Sequence, residues 1–420
     1  MKKKIIFLFL IFSLLFTSPI LFVVHFVNSP DPKKVEFIKG LLPHELKFLI
    51  KEKVCKYQYF IPEYHNERIF PQTQFLKLSY KETPIYGLED RESYFADKEK
   101  VSEKVVPFYI ESIDDKNILI SMNGKIIFYE TSSFFGKKSQ SSYRIKNNLP
   151  KDISVDDSMI YDNQIFVSFR DRKKSCDNRE IFTAEINFDF LNFEKFYSHG
   201  LNGECKVGPP FAGGRMAIYD DNGNPSILVS TRYPKNKEII MLLIDMKTKE
   251  TRKITSGHRN PQGIFVNEKN IILSTEHGPR GGDEINKIVE GNDYGWPISS
   301  YGENYGANSF STEEYKYKKN HSKYDFVEPI YAFVPSVAPS QIIKVPDTFS
   351  AKWKNNYLIT SLRGLSIYRV MFDENYSRVI TMEKIRIGKR IRDIVYNKKY
   401  NSFILALENG NGSVGYININ

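Results

Sequence analysis

The side chains best suited to chemistry are concentrated between Gly257 and Gly306, in the run GHRNPQGIFVNEKNIILSTEHGPRGGDEINKIVEGNDYGWPISSYGENYG. Glu276, His277, Asp283 and Glu284 stand there among glycines and a proline. Glycine tolerates positive φ and lets main chain approach a ligand closely, and loops of this kind commonly house sites. A solvated loop between strands is the plain alternative. A glycine-and-proline turn rich in carbonyls can hold calcium, which takes about six to eight oxygen ligands, without a cluster of carboxylates. Asp283 and Glu284 have the form of a carboxylate pair whose members split their pKa values. Farther on, KRIRDI carries Arg390 and Arg392 on one strand face by simple alternation, and such guanidinium forks match carboxylates better than lysine does. His277 lies in this loop and His199 upstream of it, and a surface or hydrogen-bonded structural histidine is the ordinary role. Trp296 and Tyr301 are rings that either stack on a ligand or pack beneath the loop.

The elements that must position these residues read as short strands. Gly263 to Val266 and Ile271 to Thr275 meet at the polar turn Asn267-Glu268-Lys269-Asn270. From Val105 onward strands alternate with polar turns. The clearest hairpin is Ile118 to Met122 with Lys125 to Glu130, where Asn123-Gly124 calls for a type I′ turn. Met159 to Tyr161 with Ile165 to Phe169, Met216 to Tyr219 with Ile227 to Thr231, Tyr357 to Ser361 with Leu365 to Met371, and Ile394 to Tyr396 with Phe403 to Leu407 follow the same form. The units recur at intervals of about 50 residues, near the length of a four-stranded propeller blade. A sandwich also accommodates short strands and turns.

The chain has 420 residues, 14% of them aromatic, with 31 Phe and 26 Tyr, which favours strands and an all-β fold with a sizeable core. Its formal charge of +10 comes from scattered lysines mixed with acids. Nucleic acid is therefore not an expected partner, whereas an anionic ligand or surface is. Cys55, Cys176 and Cys205 lack metal-ligand spacing; either Cys176 pairs with Cys205 or all three remain thiols.

Lys2, Lys3 and Lys4 precede an uncharged apolar stretch from Ile5 to Val27 that is long enough to cross a bilayer. Residues 1–28 are expected to form a transmembrane signal-anchor, with a cleaved signal peptide as the rival. The lysines keep the N-terminus cytoplasmic and send the rest to the extracytoplasmic, periplasmic side. Residues 29–101 read as a juxtamembrane spacer with an amphipathic helix over Val35 to Val54, and residues 102–420 as the folded domain.

Taken together, GHRNPQG, TEHGPRGGDEIN, GNDYGWP and SYG resemble the PQQ-dependent soluble aldose and glucose dehydrogenases, the glucose/sorbosone dehydrogenase family. The resemblance covers about Ile153 to Asn420 well and the preceding blade weakly. It implies a six-bladed β-propeller, the cofactor pyrroloquinoline quinone (PQQ), and a calcium ion against the quinone. By resemblance, the main-chain carbonyls of Gly278, Pro279 and Tyr294 fall on the calcium positions. Arg259 and Asn260 in HRNPQG, with Arg390 and Arg392, match cofactor-contacting motifs. Arg363 in SLRG stands where the family commonly has a lysine contact, and Ser336 in VPSVAPS where it has a small hydroxyl. Asp283 and Glu284 fall in the family's loop scaffold.

One departure cuts against the match. The family places its proton-accepting histidine four residues before the arginine of a His-x-(Gly/Ser)-Gly-Arg block, and here the block is Phe211 to Arg215, FAGGR. Phenylalanine cannot accept a proton, and losing a general base typically costs a factor of about 10² to 10⁴ in rate. The family's early glutamine and glycine-rich segment is also unrecognisable before Ile160. The resemblance thus implies a sugar dehydrogenase that transfers hydride to calcium-bound PQQ and passes electrons to an unnamed acceptor, with His199 and His277 as substitute bases. The alternative is a non-catalytic propeller that binds carbohydrate or protein.

Overall fold

The computed structural model of the chain describes residues 76–88, 105–132, 142–171, 179–199, 213–232, 239–303 and 317–419. The expected anchor over residues 1–28, the Val35 to Val54 helix, the three cysteines and Phe211 lie outside the described residues. Among the described residues no helix is long and apolar enough to cross a membrane.

The described chain is all-β. Strand β1 (Leu78–Pro84) comes first. Blade 1 is β2 (Phe108–Ile113), β3 (Lys116–Ser121), β4 (Ile126–Glu130) and β5 (Ser142–Asn147). Blade 2 is β6 (Ile153–Tyr161), β7 (Gln164–Asp171), β8 (Arg179–Glu185) and β10 (Glu194–His199), while the two-residue β9 (Phe190–Leu191) pairs in parallel with β5 of blade 1. Blade 3 is β11 (Met216–Asp221), β12 (Asn224–Arg232), β13 (Ile239–Asp245) and β14 (Thr251–His258). Blade 4 is β15 (Pro261–Val266), β16 (Ile272–Glu276), β17 (Asp283–Ile288) and β18 (Tyr331–Phe333). Blade 5 is β19 (Pro339–Lys344), β20 (Asn356–Ser361), β21 (Ser366–Phe372) and β22 (Val379–Arg386). Blade 6 takes β23 (Ile391–Asn397), β24 (Ser402–Leu407) and β25 (Ser413–Ile419) from the end of the chain and β1 from its beginning.

Six sheets in a ring decide between the propeller and the sandwich. Each inner strand, β2, β6, β11, β15, β19 and β23, packs on the next, and β23 returns to β2. The strands at mid-blade are buried on both faces, which is why they read as nearly continuous apolar runs. In β3, Ile118 and Ile120 join a cluster with Val155, Ile165 and Val167 of blade 2, while Leu119 joins Ile404 and Ala406 of blade 6. In β24, Phe403, Leu405 and Leu407 pack toward blade 5 and Ile404 and Ala406 toward blade 1. Period-two alternation here sorts side chains between two apolar interfaces rather than between core and water.

Two sequence expectations change. The segment read as a spacer contributes β1, which pairs antiparallel with β25 from Leu78↔Ile419 to Pro84↔Ser413, so the two ends of the described chain share one blade. At Asn123-Gly124 only Gly124 has positive φ, 77°. Gly124 N–H donates to the Ser121 carbonyl and Ser121 N–H to the Lys125 carbonyl. That is a longer hairpin loop with glycine in the left-handed position, not a two-residue type I′ turn.

Candidate functional site

Arg215 lies at the axis of the ring, just before β11, and is 1% exposed. Its Nε donates to the Gln262 carbonyl of blade 4 (2.5 Å), and Nη2 donates to the Ser340 carbonyl of blade 5 (3.2 Å) and the Arg392 carbonyl of blade 6 (3.0 Å). Nη1 meets Asp157 of blade 2 at 2.6 Å and Asp393 of blade 6 at 3.4 Å, and the guanidinium lies over the Tyr109 ring of blade 1. One side chain therefore touches all five other blades. The two glycines before it are needed for this approach: both have positive φ, and a Cβ on Gly214 would come within 2.4 Å of Arg179 Nη1 and of Asp156 Cβ. Asp156 is itself gripped by Arg170 (2.8 Å) and Arg179 (2.5 Å), which overcome its desolvation and lower its pKa. Around Arg215 the carboxylates are less well compensated. Desolvation raises Asp157 to about 7 despite Arg215, and raises Glu111, which accepts from Ser158 Oγ at 3.0 Å, well above its ordinary value.

Next to this hub, motif residues from blades 4 and 6 and the start of blade 5 form a hydrogen-bonded chain. Arg390 Nε donates to Glu408 Oε2 at 2.9 Å, and Arg392 Nε donates to Glu408 Oε1. Arg392 Nη1 donates to Gln262 Oε1 (3.2 Å), and Gln262 Nε2 donates to Asn260 Oδ1 (3.1 Å). Asn260 Nδ2 faces His277 Nδ1 at 3.5 Å, and His277 Nε2 lies 2.8 Å from the Pro339 carbonyl. A carbonyl only accepts, so Nε2 carries the proton and Nδ1 keeps the lone pair. Desolvation, then Arg259, Arg392 and Arg390, lower the His277 pKa to about 3. Arg259 adds an Nη1 hydrogen bond to the His277 carbonyl at 2.9 Å, and its guanidinium lies 5.3 Å from the Trp296 ring centre. Burial would raise Glu408, but Arg392 and Arg390 outweigh it and keep it ionised below the usual carboxylate range.

Beside this basic cluster, Glu276, Gly278, Pro279, Glu284, Tyr294 and Ser299 line a cavity of about 10 Å³, room for a single water or ion. Arg259 lines it too, so the cavity borders the cluster. Glu276 is fully engaged: Oε1 accepts from the main-chain N–H of Arg259 and Asn260, and Oε2 meets His258 Nδ1 at 3.0 Å. The His258 ring stacks on Tyr294. Burial, with help from Glu276 and Glu328, raises Glu284 to about 7 although His321, 3.6 Å away, pulls it down. Among the described residues no three His, Cys, Asp or Glu side chains are grouped to hold a metal. A cation here would combine one or two carboxylates with main-chain and hydroxyl oxygen, the donor set that suits calcium.

The structure thus brings together Arg259, Asn260, His277, Arg390 and Arg392, and gathers Gly278, Pro279 and Tyr294 around one cavity. Ser336 Oγ donates to the Pro279 carbonyl at 3.4 Å, and Arg363 is tied to the same loop through its main-chain N–H to the Val337 carbonyl. Asp283 is scaffold, accepting N–H from Gly278 on Oδ1 and from Val337 and Ala338 on Oδ2. Tyr301 is buried, with its hydroxyl donating to Glu328 at 2.6 Å, so it offers no face to a ligand, while Trp296 lies against Tyr317 and Arg259. His199 ends β10, its side chain outside the described part. Sequence reasoning missed the roles of Arg215, Gln262 and Glu408. Gln262 lay within HRNPQG, but the other roles depend on contacts made across blades or between distant strands.

A closed six-bladed propeller with a buried basic cluster and a water-sized cavity side by side is the class that fold and geometry define. Residues 243–415 match the model of the glucose/sorbosone dehydrogenase family. The chain is 31% identical over 145 residues to the aldose sugar dehydrogenase YliI of Escherichia coli, covering 33% of this chain and 36% of that protein. It is 27% identical over 191 residues to quinoprotein glucose dehydrogenase B of Acinetobacter calcoaceticus, covering 34% and 39%. The chain thus matches little more than a third of the length of these curated relatives. A crystal structure of glucose dehydrogenase superposes with a TM-score of 0.60 at 18% identity, over 74% of this chain and 95% of that one. The chain therefore resembles the glucose/sorbosone dehydrogenases, in sequence over its C-terminal part and in fold over most of its length.

Proposed function

We propose that this chain is a PQQ-dependent, aldose dehydrogenase-like oxidoreductase. The observation that carries the reading is the hydrogen-bonded chain that joins Arg390 and Arg392 of KRIRDI, through Glu408 and Gln262, to Asn260 and His277, with Arg259 donating to the His277 carbonyl. Arg390 uses only Nε within the chain, and Arg392 only Nε and Nη1, among the described residues, so their remaining N–H groups suit an anionic, carboxylate-bearing cofactor. When bound, PQQ supplies the hydride acceptor and calcium the Lewis acid beside it. Arg259, Arg390 and Arg392 would hold the cofactor carboxylates, with Asn260, Ser336 and Arg363 at its edge. Gly278, Pro279 and Tyr294, with Glu284, would hold the ion.

His277 at a pKa of about 3 is a poor base at neutral pH, because burial desolvates it and the charges of Arg259, Arg392 and Arg390 oppose a second proton, while its Nε2 proton is committed to Pro339. With phenylalanine at 211, a base must come from elsewhere, from the substrate's own solvent, or not at all, and the last case is the binding-only propeller. On the same reading residues 1–28 anchor the propeller on the extracytoplasmic side, where sugar and an electron acceptor reach it.

The test is calorimetric titration of the calcium-loaded chain with PQQ, followed by aldoses while the quinone absorbance is recorded. Binding with reduction supports the enzyme. Binding without reduction supports a loaded but inactive site, and absence of binding removes the quinoprotein reading.

A further inference from the structure

We propose that Glu408 is the positioning residue of the cofactor pocket, the single carboxylate that aims both KRIRDI arginines. The inference rests on the quinoprotein reading of that pocket and concerns a residue that no motif singled out. Glu408 follows β24 directly and its side chain is 0% exposed. Each of its oxygens takes one guanidinium, Oε2 that of Arg390 and Oε1 that of Arg392, and both arginines offer Nε. The main chain adds to the clamp: Glu408 N–H donates to the Arg390 carbonyl, and Arg390 N–H donates to Asn409 Oδ1 at 2.7 Å.

Geometry gives the clamp its purpose. A guanidinium held by its Nε edge cannot rotate freely about its stem, so its terminal nitrogens keep one direction. Arg392 spends one of these on Gln262, which passes order along to Asn260. Arg390 spends neither terminal nitrogen on any described residue. Two untethered arginines would repel each other and sample many rotamers, and binding would have to order both. Glu408 imposes that order beforehand, and it cancels one of the two positive charges while doing so.

That double role makes the proposal separable from simpler ones. Removing the Glu408 charge raises the net positive charge of the pocket, so an electrostatic role alone predicts tighter and more salt-dependent binding of an anion in Glu408→Gln. A merely structural role predicts weaker binding in step with a lower melting temperature and an unchanged salt dependence. Positioning predicts a third pattern, weaker binding by about tenfold or more together with steeper salt dependence, because charge is gained while aim is lost. Glu408→Asp keeps the charge and shortens the reach, and should recover part of the affinity at the wild-type salt slope.

The experiment is calorimetric titration of the full chain and both variants with PQQ across a salt series, beside thermal melts and the ¹⁵N spectrum of the arginine Nε–H groups. Two protected Nε–H signals in the wild type that vanish in Glu408→Gln, with the weaker and steeper binding, would establish the role. Undiminished affinity in Glu408→Gln, or wild-type Nε–H signals averaged by exchange, would overturn it while leaving the quinoprotein reading intact. A wild type that binds no PQQ would overturn both.

Discussion

Replacing Arg215 by methionine tests whether the ring is held at its centre. Methionine keeps much of the volume but removes the charge and every donor. The substitution would leave Asp157 and Asp393, 2% and 3% exposed, without their shared cation, and the carbonyls of Gln262, Ser340 and Arg392 without a donor. Removing one partner of a buried ion pair typically costs about 3–5 kcal/mol. A domain this large loses about 2 °C of melting temperature per kcal/mol, so the expected fall is about 6–10 °C. The loss should depend on pH. At pH 5 the stranded carboxylates can protonate at small cost, whereas at pH 8 they must be ionised against their environment or take up protons from dilute solution. Thermal melts of Arg215→Met at pH 5 and pH 8 should therefore show the larger fall at pH 8. Adding Asp157→Asn should return part of it, since the neutral amide needs no counter-charge. A fall below about 2 °C, equal at both pH values, would refute the hub.

Other expectations follow from the same contacts. Glu111 has a folded pKa raised by desolvation, so the native state holds a proton that the unfolded chain has released, and its contribution to stability declines as pH rises above the ordinary carboxylate range. Glu111→Gln, which still accepts from Ser158, should melt higher than wild type at pH 8 and level with it near pH 4; equal melting at both would count against a buried, proton-loving Glu111. Asp283→Asn loses one of the two acceptors that serve Gly278, Val337 and Ala338, and a hydrogen bond to a charged group is worth about 1.5–3 kcal/mol. Denaturant titration should show a loss of that order. Calcium added to chelator-treated chain should raise the melting temperature, by the equivalent of about 2.7 kcal/mol at a hundredfold excess over its dissociation constant. Glu284→Gln should abolish that shift, and an unshifted wild type at millimolar calcium would remove the ion from the cavity.

The blocks HRNPQG, EHGP, NDYGWP and KRIRDI announce a site because glycine, proline, arginine and acid at these spacings are poor material for a core. The hairpins were legible because alternation and turn residues are local properties. The sequence alone could also place Arg390 and Arg392 on one strand face, and both do reach the same carboxylate. It could not name that carboxylate. Glu408 follows an apolar strand and looks like the start of an ordinary turn, and only the pairing of β23 with β24 brings it beneath the arginines. Nor could it show that His277, outwardly a candidate base, is kept neutral by burial and by arginines from two other segments. The spacer reading of residues 29–101 overlooked β1 for the same reason: nothing local in Leu78–Pro84 says that its partner is β25, more than three hundred residues away. Local chemistry thus fixed which residues could act and which segments would be strands. Closure of the ring decided which of them meet, because an axial arginine, a shared carboxylate and a strand borrowed from the other end of the chain are contacts between segments that no sequence window contains.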